Sequence, residues 1–381
     1  MEDLTQLRAE LDDIDSRLLD LFGRRMDCAE RVAEYKRAEG LPVLDRARER
    51  AKLNAIYGAA PDELKDYSTL LFSTLLELSR ARQYSLLGST DDTLERIQSA
   101  VDTTEQLFPR SASVACQGVE GAYSQMAADK LFKRPSIEYH RTFEGVFRAV
   151  DEGRVRYGVL PVENSTAGTV GAVYDLMMRH DFHIVRTCRV KVDHVLLGNH
   201  GATLEKVHEV YSHSQAIRQC SEFLDSRHDI NVHVVENTAL AAQMVAKSGR
   251  TDAAALSSRS CADLYGLDVI DKDIQNKQSN VTRFACISKN LEIYPGADRT
   301  SLMMVTSNDP GSLYKVLARF YALDINLVKL QSRPIPDRDF EFMFYFDVQS
   351  PVVAPEFQTL MSSLGDVCEE YRYLGSYSEA L

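Results

Sequence analysis

The feature that most constrains the fold is a run of apolar residues in steps of three and four: Leu4, Leu7, Leu11, Ile14, Leu18, Leu21, Met26, Ala29, Val32 and Tyr35. Gly23 is the only glycine or proline before Gly40-Leu41-Pro42. This spacing predicts one continuous helix. At about 1.5 Å per residue it exceeds roughly 50 Å, more than a small monomeric bundle can cover. A partner chain is the economical way to bury its stripe. Two more helical stretches follow, Asp45 to Tyr57 and Pro61 to Leu87, the second opening with Pro61-Asp62-Glu63 as a first turn should. Residues 1–88 therefore read as an all-helical domain of three helices.

Composition narrows the function classes. A chain of 381 residues predicts two to three domains, and the formal charge of −12 argues against a nucleic-acid scaffold, whose phosphate contacts want a basic face. Small anions remain possible ligands, because a few arginines can line a cleft in an acidic protein. The seven cysteines, at 28, 116, 188, 220, 261, 286 and 368, form no CxxC pair, so neither a metal site nor a disulfide framework is expected. A reducing, cytoplasmic setting fits this usage. The start Met1-Glu-Asp-Leu-Thr-Gln has no basic or apolar leader, and no apolar run is long enough to span a membrane.

Beyond Leu87 the grammar changes twice. Residues 89–110 read as a polar linker helix, opening at Gly88-Ser-Thr-Asp-Asp and ending near Phe108-Pro109-Arg110. Residues 111–290 alternate strands and helices, with strands expected at Ser113 to Cys116, Ile137 to His140, Tyr157 to Val162, His183 to Leu197, Glu209 to Ser212, Asn231 to Val235, Ala253 to Leu256 and Arg283 to Ser288. That is the pattern of an open α/β sheet, which binds ligands at the carboxyl ends of its strands. Residues 299–381 follow the order βαββαβ, with strands from Leu302, Ile325, Phe340 and Glu370, an α+β ferredoxin-like arrangement.

On the long helix Arg25 and Lys36 are eleven residues apart, which at 100° per residue returns them to within about 20° of one face and some 16 Å apart along the axis. Arg8 lies 17 residues before Arg25 on a face rotated roughly 100°, so it suits a site in a partner chain. Taken singly, all three read as solvated helix cations. As a set they continue into Asp45, Arg48 and Glu49 of Leu-Asp-Arg-Ala-Arg-Glu-Arg, and Ser79 and Gln83 of Glu-Leu-Ser-Arg-Ala-Arg-Gln. This set resembles, position by position, the active site of all-helical chorismate mutases. The resemblance implies arginines on the two carboxylates of chorismate, Lys36 and Gln83 donating to the ether oxygen as its bond breaks, and Glu49 accepting from the ring hydroxyl. A pericyclic rearrangement needs a folded conformer and preorganised donors, and no nucleophile.

Four stretches of the α/β segment look odd as pure scaffold: Gly118-Val-Glu-Gly-Ala-Tyr-Ser, Leu160-Pro-Val-Glu-Asn-Ser-Thr-Ala-Gly, Tyr211-Ser-His-Ser-Gln and Asn280-Val-Thr-Arg-Phe. Each falls where a predicted strand meets a loop or helix start, so all can converge on one cleft. In this order they resemble prephenate dehydratase. The resemblance implies two lobes of the periplasmic-binding-protein type, with prephenate between them. Thr282 would help protonate the departing hydroxyl, while Arg283, Glu163, Asn164, Ser165 and Gln215, the last on a family loop, bind and organise the ligand. Ala122 departs from the Ser or Thr of many relatives. His213 is the conventional acid-base choice but suits orienting Gln215 or packing, and His180 with His183 lacks further ligands for a metal.

The C-terminal segment resembles an ACT regulatory domain, which in this family implies a site for L-phenylalanine. Gly311, Ser312 and Leu313 open a helix in Asp-Pro-Gly-Ser-Leu, and Gln331, Ser332 and Arg333 stand where Glu-Ser-Arg-Pro is usual. The sequence is thus read as a multidomain enzyme converting chorismate through prephenate to phenylpyruvate without metal or organic cofactor, at least dimeric and regulated by L-phenylalanine. Two alternatives stay open: a dehydratase whose helical arm only dimerises the chain, and a non-catalytic amino-acid sensor.

Overall fold

A computed structural model describes residues 3–87, 92–277, 279–336, 338 and 341–380. The expected boundary at residue 88, the opening of the linker and the expected strand start at Phe340 lie outside these residues. The helical region comprises α1 (Leu4–Ala38), α2 (Arg46–Ala59) and α3 (Lys65–Leu87), with a single 3-10 turn at Asp62–Leu64. Asp3 caps α1, its side chain accepting from the Thr5 amide, and α1 and α2 both pack along α3. Of α1 only Ala29 and Ala33 are buried. Leu4, Leu7, Leu11, Ile14, Leu18 and Leu21 stay exposed, between 38% and 59%. The stripe that the periodicity marks for burial thus has no cover among the described residues of one chain.

The segment read as a linker is part of a core. In α4 (Thr93–Thr103) the side chains of Ile97 and Ala100 are buried with Ile293, just after the α/β region, and with Leu302 and Phe357 of the C-terminal module. Its apolar positions Leu94, Ile97 and Val101 share one helix face, too short a stripe to stand out among polar neighbours.

The α/β region runs β1 (Ser111–Gln117), α5 (Tyr123–Leu131), β2 (Arg134–His140), α6 (Phe143–Asp151), β3 (Tyr157–Asn164), β4 (Gly168–Thr169), α7 (Gly171–Met177) and β5 (His183–Lys191). It then crosses to a second sheet with β6 (His194–Gly198), β7 (Glu209–Ser212), α8 (Ser214–Gln219), α9 (Ser221–Asp225), β8 (Asn231–Val234), α10 (Thr238–Ser248), β9 (Ala253–Ser258), α11 (Ser260–Tyr265) and β10 (Asp268–Asp271). The chain returns to the first sheet as β11 (Val281–Ser288), inserted between β5 and β3. The second sheet is ordered β10-β6-β9-β7-β8. One expectation needs correction: His183 to Leu197 is not a single strand. It breaks after Lys191, and its two halves belong to different sheets. No glycine or proline separates the two halves, so no turn signal in the sequence reveals the crossing.

The C-terminal module holds β12 (Arg299–Val305), α12 (Ser312–Ala322), β13 (Asn326–Pro334), β14 (Phe342–Gln349), α13 (Pro355–Ser363) and β15 (Glu370–Tyr377), in an antiparallel sheet ordered β13-β14-β12-β15. A last short strand, β16 (Glu379–Ala380), leaves it and pairs in parallel with β5. The two sheets meet closely where Gly375, at φ +133°, faces β5: a Cβ there would lie 2.3 Å from the Ile184 carbonyl oxygen. The C-terminal sheet is therefore docked directly on the sheet that carries β3 and β11.

Candidate active sites

In the helical region the contacts tie the three helices at the expected residues. Arg25 donates from Nη1 to the Leu75 carbonyl at 2.6 Å and to Ser79 Oγ. Burial lowers its pKa, opposed by the Cys28 thiol. Lys36 Nζ donates to the Val43 carbonyl at 2.5 Å, holding the turn into α2. Glu49 is paired with Arg80 of α3, a buried arginine that sequence reading missed although it sits beside Ser79. Gln83 is buried, and among the described residues its Oε1 accepts no hydrogen bond. Asp45 is the N-cap of α2, accepting from the Arg48 amide at 3.0 Å, and the Arg48 side chain is exposed. Arg8 is also exposed, some 25 Å along α1 from Arg25 by helix rise. One chain thus gathers Arg25, Lys36, Glu49, Ser79 and Gln83 around its helix contacts but leaves Arg8 remote from them.

In the α/β region a cavity of about 470 Å³ opens between the two lobes. The first sheet contributes Asn164, Thr282 and Phe284, and the second lobe His194, His213, Gln215, Gln219 and Glu236. Antiparallel pairing sets Thr282 of β11 opposite Asn164 of β3. Asn164 Nδ2 donates to Thr282 Oγ1 at 2.9 Å and to Asn280 Oδ1 at 2.7 Å. Its Oδ1 accepts from the amides of Thr166 at 3.0 Å and Ala167 at 2.8 Å, so the amide has only one sensible orientation. Thr282 Oγ1 is consequently an acceptor toward Asn164, leaving its own proton free to point elsewhere.

Several expected ligand groups lie off this cavity. Successive strand residues face opposite ways, and Arg283 points to the sheet's other face, where it pairs with Asp347 of β14. Its neighbour across the strands, Glu163, points the same way. Placement of Arg283 and Glu163 on the cleft is thereby corrected. Ser165 fastens the turn to β11, accepting from the Val281 amide at 3.0 Å, and does not line the cavity. Gln215 does line it, with Oε1 accepting from Arg218 at 2.5 Å. His213 caps α8 through the Gln215 amide, in keeping with an orienting role.

Sequence reading missed His194, hidden in the presumed single strand. Burial drives its pKa down to about 4, against a hydrogen bond that it donates to Gln219, which favours a neutral imidazole. Its Nε2 lies 3.1 Å from Gln219 Oε1. His180 sits between Asp151 and Glu144, and among the described residues no group of His, Cys, Asp and Glu could hold a metal ion.

Among the described residues the two expected effector motifs do not line one cavity within a chain. Gly311, at φ +85°, caps α12 and with Ser312, Leu313, Asn308, Asp309 and Phe344 lines a cavity of about 270 Å³. Gln331 instead accepts from Thr169 Oγ1 of the dehydratase cleft at 2.8 Å. Arg333 forks onto Asp175 of α7 at 2.7 and 2.6 Å, while Ser332 pairs with Phe344 in the sheet.

Comparison with known proteins matches this division. The chorismate mutase type II family profile covers residues 7–84 and the prephenate dehydratase profile residues 114–292. The bifunctional chorismate mutase/prephenate dehydratase of Escherichia coli (strain K12) is 31% identical over 383 residues, covering 98% of this chain and 96% of its own. The chloroplastic arogenate dehydratase/prephenate dehydratase 2 of Arabidopsis thaliana is 37% identical over 311 residues, covering 78% of this chain and 81% of its own. In fold, a prephenate dehydratase from Arthrobacter aurescens, solved with L-Phe, aligns at TM-score 0.64 and 24% identity over 70% of this chain and 90% of its own. Helical and α/β catalytic regions therefore serve phenylalanine biosynthesis in tandem, and the chain belongs to the bifunctional chorismate mutase/prephenate dehydratase family.

Proposed function

We propose that Thr282 is the proton donor of the dehydratase and that Asn164 is its activator. The observation that carries this is the 2.9 Å hydrogen bond from Asn164 Nδ2 to Thr282 Oγ1. As the ring carboxylate of prephenate leaves as carbon dioxide, its bonding electrons move into the ring and expel the hydroxyl at the far carbon. Protonation by Thr282 turns that group into water. A threonine hydroxyl is a poor acid, so the donor needs its developing negative charge stabilised, and an N–H already aimed at Oγ1 does this without reorganisation. Among the described lining residues there is no Lys or Arg, so the carboxylates are held by the first turns of α5 and α10, whose Tyr123, Ser124 and Thr238 face the cavity.

In the mutase, Arg25 and Arg48 hold the carboxylates, Lys36 and Gln83 donate to the ether oxygen, and Glu49 accepts a hydrogen bond from the ring hydroxyl, with Asp45 and Ser79 shaping the pocket. Arg8 acts in the site of a second copy, whose α1 covers the exposed leucine stripe. L-Phenylalanine is the effector, taken by the loop Gly311 to Leu313 together with a 331–333 segment from a second copy, since one chain separates them. The five buried free thiols at Cys116, Cys188, Cys220, Cys261 and Cys286 suit a reducing cytoplasm.

The test of the dehydratase reading is Thr282→Val, which keeps the β-branch and nearly the volume. Turnover on supplied prephenate should fall by the ~10² to 10⁴ typical of positioned proton transfer, with prephenate affinity largely kept. Parental turnover would remove Thr282 from the mechanism.

A further inference from the structure

Four buried or half-buried charges lie directly behind the Thr282–Asn164 pair. Thr282 and Asn164 are cross-strand partners, and so are the next pair, Arg283 and Glu163, on the opposite face. The register then slips by one residue between Arg283 and Phe284, a bulge of the kind that re-aims side chains. Facing this second pair, the C-terminal sheet presents another cross-strand pair, Lys329 of β13 and Asp347 of β14. Arg283 Nη2 bonds Asp347 Oδ2, and Asp347 Oδ1 accepts from Ser301 Oγ at 2.6 Å, which in turn meets the Tyr377 hydroxyl at 2.7 Å. Lys329 Nζ lies 3.4 Å from Glu163 and 4.9 Å over the Tyr174 ring.

We propose that Glu163, Arg283, Lys329 and Asp347 form an ionic bracket by which the C-terminal sheet holds Asn164 and Thr282 in register, making Asp347 and Lys329 positioning residues of the dehydratase. Two positive and two negative charges balance in the bracket. Arg283 and Asp347 are only 8% and 7% exposed, so loss of either strands the other's charge out of water. The backbone of β3 and β11 has to yield to such an imbalance, and a shift at Arg283 or Glu163 moves Thr282 or Asn164 one residue away. The bracket is tight at Asp347 and loose at Glu163: among the described residues neither Arg283 Nε nor Lys329 Nζ has a hydrogen-bond partner. The C-terminal module thus belongs to the catalytic scaffold as well as to regulation.

This inference rests on the Thr282–Asn164 reading, and its test separates the two. In the full-length protein Asp347→Asn should lower dehydratase kcat at least tenfold with KM within about twofold, while mutase turnover stays at the parental level and reports folding. The double variant Arg283→Gln with Asp347→Asn should lose no more than the worse single change, because members of one unit are not additive. Parental kcat in Asp347→Asn overturns the bracket, and so does a rise in KM at constant kcat, which would put Arg283 on the substrate. Should Asp347→Asn fail to fold, Lys329→Met decides: a fall of several fold in kcat at constant KM supports the bracket, and parental kcat overturns it. An inactive Thr282→Val beside a fully active Asp347→Asn sinks the bracket alone. An active Thr282→Val sinks the cleft reading first.

Discussion

Acid should destabilise this protein through two buried histidines. Burial lowers the pKa of His183, against the pull of Asp181, and that of His194, each to about 4, compared with roughly 6.5 in an unfolded chain. Between these values the unfolded state binds more protons, so stability rises with pH across the window. The contribution is fully present above the unfolded value and is lost as pH falls toward 4. Integrating from pH 7 to pH 5 gives a loss of about 2 kcal/mol per histidine, or about 4 kcal/mol for the pair. For a unit of this size that is a drop of roughly 10 °C in Tm. His213, whose pKa is also lowered by burial and by Arg218, acts in the same direction. Scanning calorimetry at pH 7, 6 and 5 checks the slope, and His183→Leu should remove close to half of it. Equal Tm values at pH 7 and pH 5, or an unchanged slope in His183→Leu, would refute the reasoning.

The other expectations concern the mutase and the effector. Lys36→Ala should cost the mutase at least the ~10²-fold typical of losing one preorganised donor, with dehydratase turnover on prephenate unaffected; a folded variant with full mutase activity would show that Lys36 only ties α1 to the Val43 turn. Mixing Arg8→Ala with Lys36→Ala subunits should restore some mutase activity, and no recovery in proven heterodimers would return Arg8 to its own chain's site. L-Phenylalanine titrated calorimetrically into the full-length protein should bind and lower dehydratase turnover, through differential affinity for two arrangements; silence on both readouts at millimolar concentration would mean that Ser312 and Gln331 mark a changed effector site.

Much of the architecture was legible because its periods are regular: the steps of three and four in α1, and the βαββαβ order at the C-terminus. In the helical region the placement of Arg25, Lys36, Glu49, Ser79 and Gln83 was legible, since they sit on helices whose geometry spacing predicts. The cleft was less so. Thr282, Asn164 and Gln215 line the cavity, but Arg283 and Glu163 were read as a block with their neighbours. Strand alternation alone argues that Arg283 turns away from Thr282, and what it meets there, Asp347, is 64 residues distant in sequence. His194 was concealed because the chain changes sheets within a stretch that holds no glycine or proline to mark a turn. Gln331 and Arg333 sit against Thr169 and Asp175, contacts between modules that no local pattern encodes.

The most direct measurement supplies chorismate alone to the full-length protein and follows prephenate and phenylpyruvate together, the latter by its enol absorbance in alkali. The parent should yield phenylpyruvate. Thr282→Val should stop at prephenate, and Lys36→Ala should consume little chorismate yet still turn added prephenate into phenylpyruvate. Phenylpyruvate formed from chorismate by Thr282→Val at the parental rate would contradict the assignment of the dehydratase proton donor, and its absence from the parent would contradict two consecutive activities on this chain.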